Sequence, residues 1–143
     1  MAAMTDYLEN ALIDHIFRAS AFAQPTTVYI ALFTAAPSDA GGGTEVTGGS
    51  YARVQVGPGD TDWNATQGGT TGDSSGTGGL TDNAADIDFP TATADWGTVT
   101  HMAIMDASTS GNMLMHGALT ASKTVDDGDT FKFNAGDLDV TLA

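Results

Sequence analysis

Two neighbouring segments between residues 95 and 119 carry apolar side chains on both faces of a period-two pattern. Small polar residues fill positions 106–112 between them, and such residues adopt turn conformations at little steric cost. The pattern therefore predicts a β-hairpin whose second strand covers 113–118. One face of its first strand is expected to present Val99, His101, Ala103 and Met105. Strands that are apolar on both faces are typical of a sheet interior, so we place this hairpin at the centre of the core.

Residues 5–20 show instead the helical spacing of apolar side chains. Thr5 is the expected N-cap, because its hydroxyl can accept a backbone N–H of the first turn. The apolar stripe comprises Leu8, Leu12, Ile16 and Ala19, and it is widened by Ile13 and Phe17. An amphipathic helix of this kind either closes an open end of its own β domain or docks on a neighbouring subunit. In the second case, the predicted subunit-contact residues are Leu8, Leu12, Ile16 and Phe17.

Further short strands are predicted on either side of the hairpin. They are expected at 26–34, 44–46, 51–56, 86–89, 131–133 and 137–142. Within 51–56, Ala52, Val54 and Val56 are expected to point inward, and Tyr51, Arg53 and Gln55 outward. A series of about seven to nine short strands with Gly and Asp turns predicts a mainly β fold. We expect one domain over 1–143, an antiparallel β-sandwich of jelly-roll-like type with one N-terminal amphipathic α-helix.

A segment rich in glycine, threonine and serine occupies residues 57–83 and offers almost nothing to bury except Trp63. A long insertion of this kind costs little closure entropy. It is predicted to be either a flexible surface loop or an arm that contact with an adjacent subunit orders. In the second case, Trp63 is a further candidate contact residue. The segment lacks the lysine, the following helix and the spacing of a phosphate-binding loop.

The net charge of the chain limits the classes of partner that it is expected to bind. Eighteen carboxylates oppose four lysine and arginine side chains, which gives a net charge of −14. Nucleic-acid binding draws on neutralised phosphates, and an anionic membrane surface repels an acidic protein, so we expect neither partner. Asp6, Glu9 and Asp14 interrupt the single apolar candidate for a signal peptide, so none is predicted. With no cysteine in the sequence, a disulfide scaffold is excluded.

Few residues suggest catalysis or metal binding. His101 and His116 lie on the two hairpin strands and could form a metal site with an aspartate, but no ligand spacing supports one. Packed strand residues are the simpler interpretation of both. Residues 126–129 resemble the start of a calcium loop, yet they lack its spacing and its distal glutamate, so a turn is expected. No nucleophile motif is present. We therefore predict no enzyme activity, no cofactor and no metal site.

Several motifs in combination resemble a known family. They are YLENALIDHIFR at 7–18, PTTVYIALFTAAP at 25–37, FPTATADWGTVTHMAIMD at 89–106 and GNMLMHGALTASKTVDDGDTF at 111–131. Together they are similar to small proteins of tailed bacteriophages that are usually labelled phage tail fibre-like or virion structural proteins. The resemblance covers nearly the whole chain, with 57–83 as an insertion. It implies no catalytic residues.

The resemblance and the residues lead to the same expectation, a non-enzymatic structural protein exposed in many copies on the surface of a virion. It would be a capsid decoration (cement) protein or a small tail-associated protein, assembled in the cytoplasm of the bacterial host. Its partners would be other copies of itself and other capsid or tail proteins. The alternative is a host-receptor or glycan-binding module of tail-fibre type. In that case, Tyr51 and Trp63 would stack against sugar rings.

Overall fold

The computed structural model describes residues 2–142 and shows a mainly β chain with antiparallel sheets and one helix. Its elements are β1 (Ala3–Met4), α1 (Asp6–Phe17), β2 (Tyr29–Ala35), β3 (Thr44–Glu45), β4 (Val54–Gln55), β5 (Leu80–Thr81), β6 (Ile87–Asp88), β7 (Gly97–Met105), β8 (Met113–Val125), β9 (Lys132–Phe133) and β10 (Val140–Thr141). The main sheet has the order β1-β8-β7-β2-β3, and β4 also pairs with β2. Two separate ribbons pair β5 with β10 and β6 with β9. The predicted mainly β class is confirmed, whereas the jelly-roll arrangement is not confirmed by these two small ribbons.

The centre of the main sheet is the predicted hairpin together with β2. β7 pairs with β8 on one side and with β2 on the other, where Tyr29 lies opposite Met105 and Phe33 opposite His101. Alternate side chains of these strands enter two separate cores. The larger core contains Ile30 and Leu32, and the smaller consists of Ala31, Phe33, Ala103 and Met105. Burial on both faces explains why this part of the sequence is apolar without interruption.

A register shift in the hairpin changes which face some side chains occupy. His101 lies opposite Ala118, whereas Val99 lies opposite Lys123, so the pairing shifts between them. Val99 is fully buried in the larger core, and the prediction that it shares a face with Ala103 is wrong. The physical reason is that a bulge inserts unpaired residues, and a slip of one residue moves a side chain to the opposite face.

An aromatic cluster lies at the ribbon of β6 and β9. Phe89, Phe131 and Phe133 are buried, and their ring centroids lie 5.2–6.4 Å apart in edge-to-face arrangements. Such aromatic pairs stabilise a core beyond the area that they bury. Within 137–142, alternation with polar residues predicts one inward face made of Leu138, Val140 and Leu142, and the first two are buried. Leu142 was expected on the same inward face, but its side chain is 54% exposed because β10 ends one residue before it.

The strand predicted at 51–56 is shorter than expected, and its inward and outward assignments are partly wrong. Only Val54–Gln55 form a strand, Ala52 is exposed, and Tyr51 packs against the larger core. The backbone N–H of Tyr51 donates to Gly48 O at 2.8 Å, and Ser50 has a positive φ of 62°. The chain therefore turns here rather than extending, and strict alternation begins only at Val54.

The glycine-rich segment is connected to the rest of its own chain by strand pairing and by hydrogen bonds. Trp63 forms an isolated bridge with Asn83, and the last residues of the segment lead into β5, which pairs with β10. Within the segment, the Gln67 side chain accepts from Ser75 N at 2.9 Å and donates to Asp73 O at 2.9 Å. Whether the segment contacts an adjacent subunit remains a prediction.

Helix α1 begins as the sequence predicts. Thr5 is the N-cap, and its hydroxyl accepts from Leu8 N at 3.5 Å. The same hydroxyl donates to Met113 O at 2.6 Å, and Thr5 N donates to Leu114 O at 3.0 Å. Thr5 is 1% exposed, so one buried side chain both starts the helix and fixes it to the beginning of β8.

We expect Thr5→Ala to lower the free energy of unfolding by about 1–2 kcal/mol, because it removes the cap and leaves a buried carbonyl without its donor. Thr5→Ser should retain most of the stability, since it keeps the hydroxyl. Urea denaturation followed by circular dichroism measures both. Equal losses for the two variants would show that the hydroxyl does not hold the helix.

Candidate functional site

The outer face of α1 is the largest uncovered group of apolar side chains in one described element. No residue of the helix is buried. Leu8 and Leu12 are half-buried, and Leu8 packs against the larger core. Towards the C-terminal end, the side chains of Ile16 and Phe17 are 64% and 78% exposed. The helix therefore rests on its own sheet through its first half only, and the predicted stripe continues into open surface.

Both ends of the helix are held in place. Asp6 N donates to Asp39 O at 3.0 Å, which fixes the first turn to the loop after β2. At the other end, His15 Nδ1 accepts from Phe22 N at 3.1 Å, and Arg18 pairs with Asp14 at 3.0 Å. The exposed apolar face is thus carried by an ordered helix. We define the helix face as Ile13, Ile16 and Phe17, of which Ile13 is 49% exposed.

Trp63, also predicted as a contact residue, is half-buried against its own chain. Its indole N–H donates to Val56 O at 3.0 Å, and its ring packs against the larger core. This arrangement explains how one aromatic residue anchors a segment that has little else to bury. Trp63 and the predicted contact residues of the helix therefore do not form one common surface.

Tyr51, the other half of the predicted sugar-stacking pair, is an internal residue rather than an outward one. Its ring stacks on Phe89 at a centroid distance of 6.3 Å and meets Trp96 edge-on at 5.3 Å. Its hydroxyl accepts from Leu32 N at 2.9 Å and donates to Glu45 at 3.1 Å. Burial raises the pKa of this hydroxyl well above its ordinary value. Sugar stacking by Tyr51 and Trp63 remains a prediction, and these contacts disfavour it.

Arg53 is a structural residue that the sequence pattern placed on the outside. Its guanidinium, with a side chain 8% exposed, makes two parallel hydrogen bonds to Glu45, both at 2.8 Å. It also donates to Ala107 O at 2.7 Å and to Ser110 O at 2.8 Å. The hydrogen bond to Glu45 raises the pKa of Arg53, so the guanidinium stays charged. One sequence feature could have suggested this pair: Glu45 lies eight residues before Arg53, which is one of four lysine and arginine residues in the chain.

A cavity of about 650 Å³ opens over the smaller core. Phe33, Met105 and Met113 line its apolar part, and Asp39 and Arg53 belong to its polar lining. Arg53 already has its partners, and Asp39 lies 3.0 Å from Nε2 of His116. No nucleophile among the described residues of this lining is hydrogen-bonded to a base.

Two further features were sought in the part of the chain that the structure describes, a cluster of metal-ligand side chains and a helix able to span a membrane. Within residues 2–142, no group of three or more His, Asp or Glu side chains is arranged to hold a metal ion. His116 is opposite Ala103 and His101 opposite Ala118, so the hairpin histidines are diagonal neighbours rather than a direct pair. In the same range, no helix combines the length and the apolar character that crossing a bilayer requires.

Comparison with known proteins agrees with the motifs in the sequence. A search of curated proteins found no match. A family model described as Podophage GP4 fiber I protein gp80 matches residues 3–141, which is nearly the whole chain. The match includes the helix, the hairpin and the glycine-rich segment. The chain therefore belongs to this family of bacteriophage fibre proteins.

Proposed function

We propose that this chain is a small structural component of fibre type in a phage tail, and that its helix face joins it to another virion protein. The family match supports a structural virion protein. The observation that carries the finer proposal is the helix face, which an ordered helix holds out to solvent with Phe17 78% exposed. Apolar side chains exposed together are typical of contact surfaces.

The charge around the helix face favours a different protein over a second copy. Asp6, Glu9 and Asp14 lie on the same helix, where Arg18 pairs with Asp14, and the whole chain has a net charge of −14. A second copy would bring the same negative charge to the contact, and like charges across an interface are costly. A virion protein with basic side chains around an apolar groove would complement both features. We therefore commit to such a protein as the occupant.

Replacing the helix face should prevent incorporation without unfolding the chain. We expect the double variant Ile16→Ser and Phe17→Ser to change the free energy of unfolding by no more than about 0.5 kcal/mol, because both side chains are exposed. Its copy number in purified phage particles, measured by quantitative mass spectrometry, should fall to near zero. The matched control is Leu142→Ser, which also removes an exposed apolar side chain, 54% exposed, away from the helix.

The same measurement on unmodified particles tests the location. A few copies per particle would agree with a tail component, whereas a copy number close to that of the major capsid protein would indicate capsid decoration instead. Absence from the particle would contradict a virion role altogether. Normal incorporation of the Ile16 and Phe17 double variant would overturn the assignment of the helix face as the contact.

A further inference from the structure

The outer edge of β8 is open for most of its length. β8 is the longest strand of the described chain, with 13 residues, and β7 covers one of its edges. On the other edge, β1 pairs only with Met115 and His116. Within residues 2–142, no strand or isolated bridge pairs with the edge from Gly117 to Thr124. We define these eight positions as the β8 edge. An edge of this length is a template for another strand.

The β8 edge has a lysine and a register shift, two of the features that protect sheet edges, but it is neither short nor interrupted by proline. Natural edges are kept short or carry proline and charged side chains, which discourage a further strand. The β8 edge contains no proline, and its single charged side chain is Lys123. Its other residues are small or β-branched apart from Leu119, and they are mostly exposed. A register shift places four β8 residues, 119–122, opposite Thr100 alone, so these four also lack a direct partner on β7.

The distribution of acidic residues leaves the β8 strand itself without a carboxylate. Of the 18 carboxylates, none lies between Asp106 and Asp126, a window that contains the whole of β8. Lys123 forms no ion pair within the described residues, and its ammonium lies 5.7 Å from the centre of the Phe131 ring. Asp137 and Asp139 line one cavity together with Lys123, Lys132 and residues 117–121 of the β8 edge, so charges of both signs are present at this surface.

We propose that the β8 edge is a self-association surface, on which the β8 edge of a second copy adds in antiparallel orientation. Two chains of net charge −14 repel each other, so they approach most easily through a surface on which carboxylates are few and lysines lie beside them. The β8 edge is such a surface. Antiparallel pairing of one edge with its own copy is self-complementary around a two-fold axis. It would join the two main sheets into one, with main-chain hydrogen bonds as the principal contacts.

This inference concerns the purified chain alone and does not rest on the helix face. Loss of particle incorporation reports on the helix face, whereas self-association in solution reports on the β8 edge. One strand pair is a small interface, so the dimer should depend on concentration, and higher salt should strengthen it by screening the repulsion between the two chains. A high local concentration in a particle would favour the same pairing.

Sedimentation equilibrium of the purified chain across a range of concentrations tests the proposal. We expect a reversible monomer–dimer equilibrium, and we expect Thr120→Asp to raise its dissociation constant by about tenfold or more. Two-fold symmetry places the new carboxylate in the interface twice, and about 1.4 kcal/mol of repulsion gives a tenfold change. Thr77→Asp is the matched control, because it makes the same change at an exposed position of the glycine-rich segment. It should leave the dissociation constant unchanged.

Thermal denaturation of Thr120→Asp checks that the variant is folded, which is expected for an exposed side chain. A purified chain that remains monomeric at its highest soluble concentration and at high salt would overturn the proposal. A dimer that Thr120→Asp and Thr77→Asp affect equally would also overturn it, since the interface would then lie elsewhere.

Discussion

Replacing Asn83 with alanine should lower the free energy of unfolding by about 3–5 kcal/mol. Asn83 is fully buried. Its side-chain amide donates to Ala85 O at 2.7 Å and to Asn134 O at 2.8 Å, and its side-chain oxygen accepts from Leu138 N at 2.8 Å. Alanine leaves these backbone groups without their partner, and each buried group that loses a hydrogen bond costs about 1–3 kcal/mol.

The position of Asn83 explains why so much stability depends on one side chain. Its own backbone oxygen accepts from Gly136 N at 2.8 Å, and the residue forms a bridge with Trp63. Asn83 thus joins the end of the glycine-rich segment to the chain between β9 and β10. These segments contain little regular structure, so side-chain hydrogen bonds replace the strand ladders that would otherwise hold them.

Urea denaturation monitored by tryptophan fluorescence is the appropriate measurement, because Trp63 lies beside the altered position. Asn10→Ala is the matched control: Asn10 is exposed on α1, and its replacement should change stability by no more than about 0.5 kcal/mol. If the Asn83 variant lost less than about 1 kcal/mol, its three hydrogen bonds could not be the connection that we describe.

The hairpin and the helix could be predicted from the sequence because each has a strong period of its own. The apolar faces of β7 and β8 and the stripe of α1 appear within a single window of residues, and no distant part of the chain is needed to recognise them. Thr5 was recognisable for the same reason, since a cap acts on the turn that follows it. The burial of Ile87, Phe89 and Leu138 likewise follows from local alternation.

The register shifts and the residues with distant partners could not be predicted in this way. Nothing near Val99 indicates that β8 places four residues opposite Thr100, and that shift decides which core Val99 enters. Tyr51 and Asn83 have polar side chains, yet they lie inside the protein because residues far along the chain provide their hydrogen-bond partners. The burial of such polar residues depends on tertiary contacts and cannot be predicted from the periodicity of the sequence.

The helix face and the β8 edge could likewise be predicted from the sequence only in part or not at all. The amphipathic pattern identified the apolar stripe of α1, but a period cannot tell which part of the stripe the sheet will cover. In the structure the sheet covers part of Leu8 and leaves Phe17 exposed. The β8 edge was not recognised at all, because an open edge is a property of strand order, and strand order becomes known only with the topology.

Replacing Arg53 with methionine should lower the free energy of unfolding by about 3 kcal/mol, because it leaves the carboxylate of Glu45 in a partly buried site without its cation. Two further acceptors, Ala107 O and Ser110 O in the turn between β7 and β8, lose their donor as well. Arg53→Lys should recover only a small part of the loss. A lysine ammonium cannot make the two parallel bonds to Glu45 and reach both carbonyls at once.

The combination of Arg53→Met with Glu45→Leu separates the charge from the packing. Glu45→Leu alone should also destabilise the chain, since it leaves the guanidinium of Arg53, with a side chain 8% exposed, without its carboxylate. The double variant contains neither unpaired charge, so its loss should be smaller than the sum of the two single losses by at least about 1 kcal/mol. Urea denaturation of the four proteins gives this coupling directly. Strictly additive losses would mean that Arg53 acts through the turn carbonyls, and that its pairing with Glu45 contributes nothing to the connection between β3 and the hairpin.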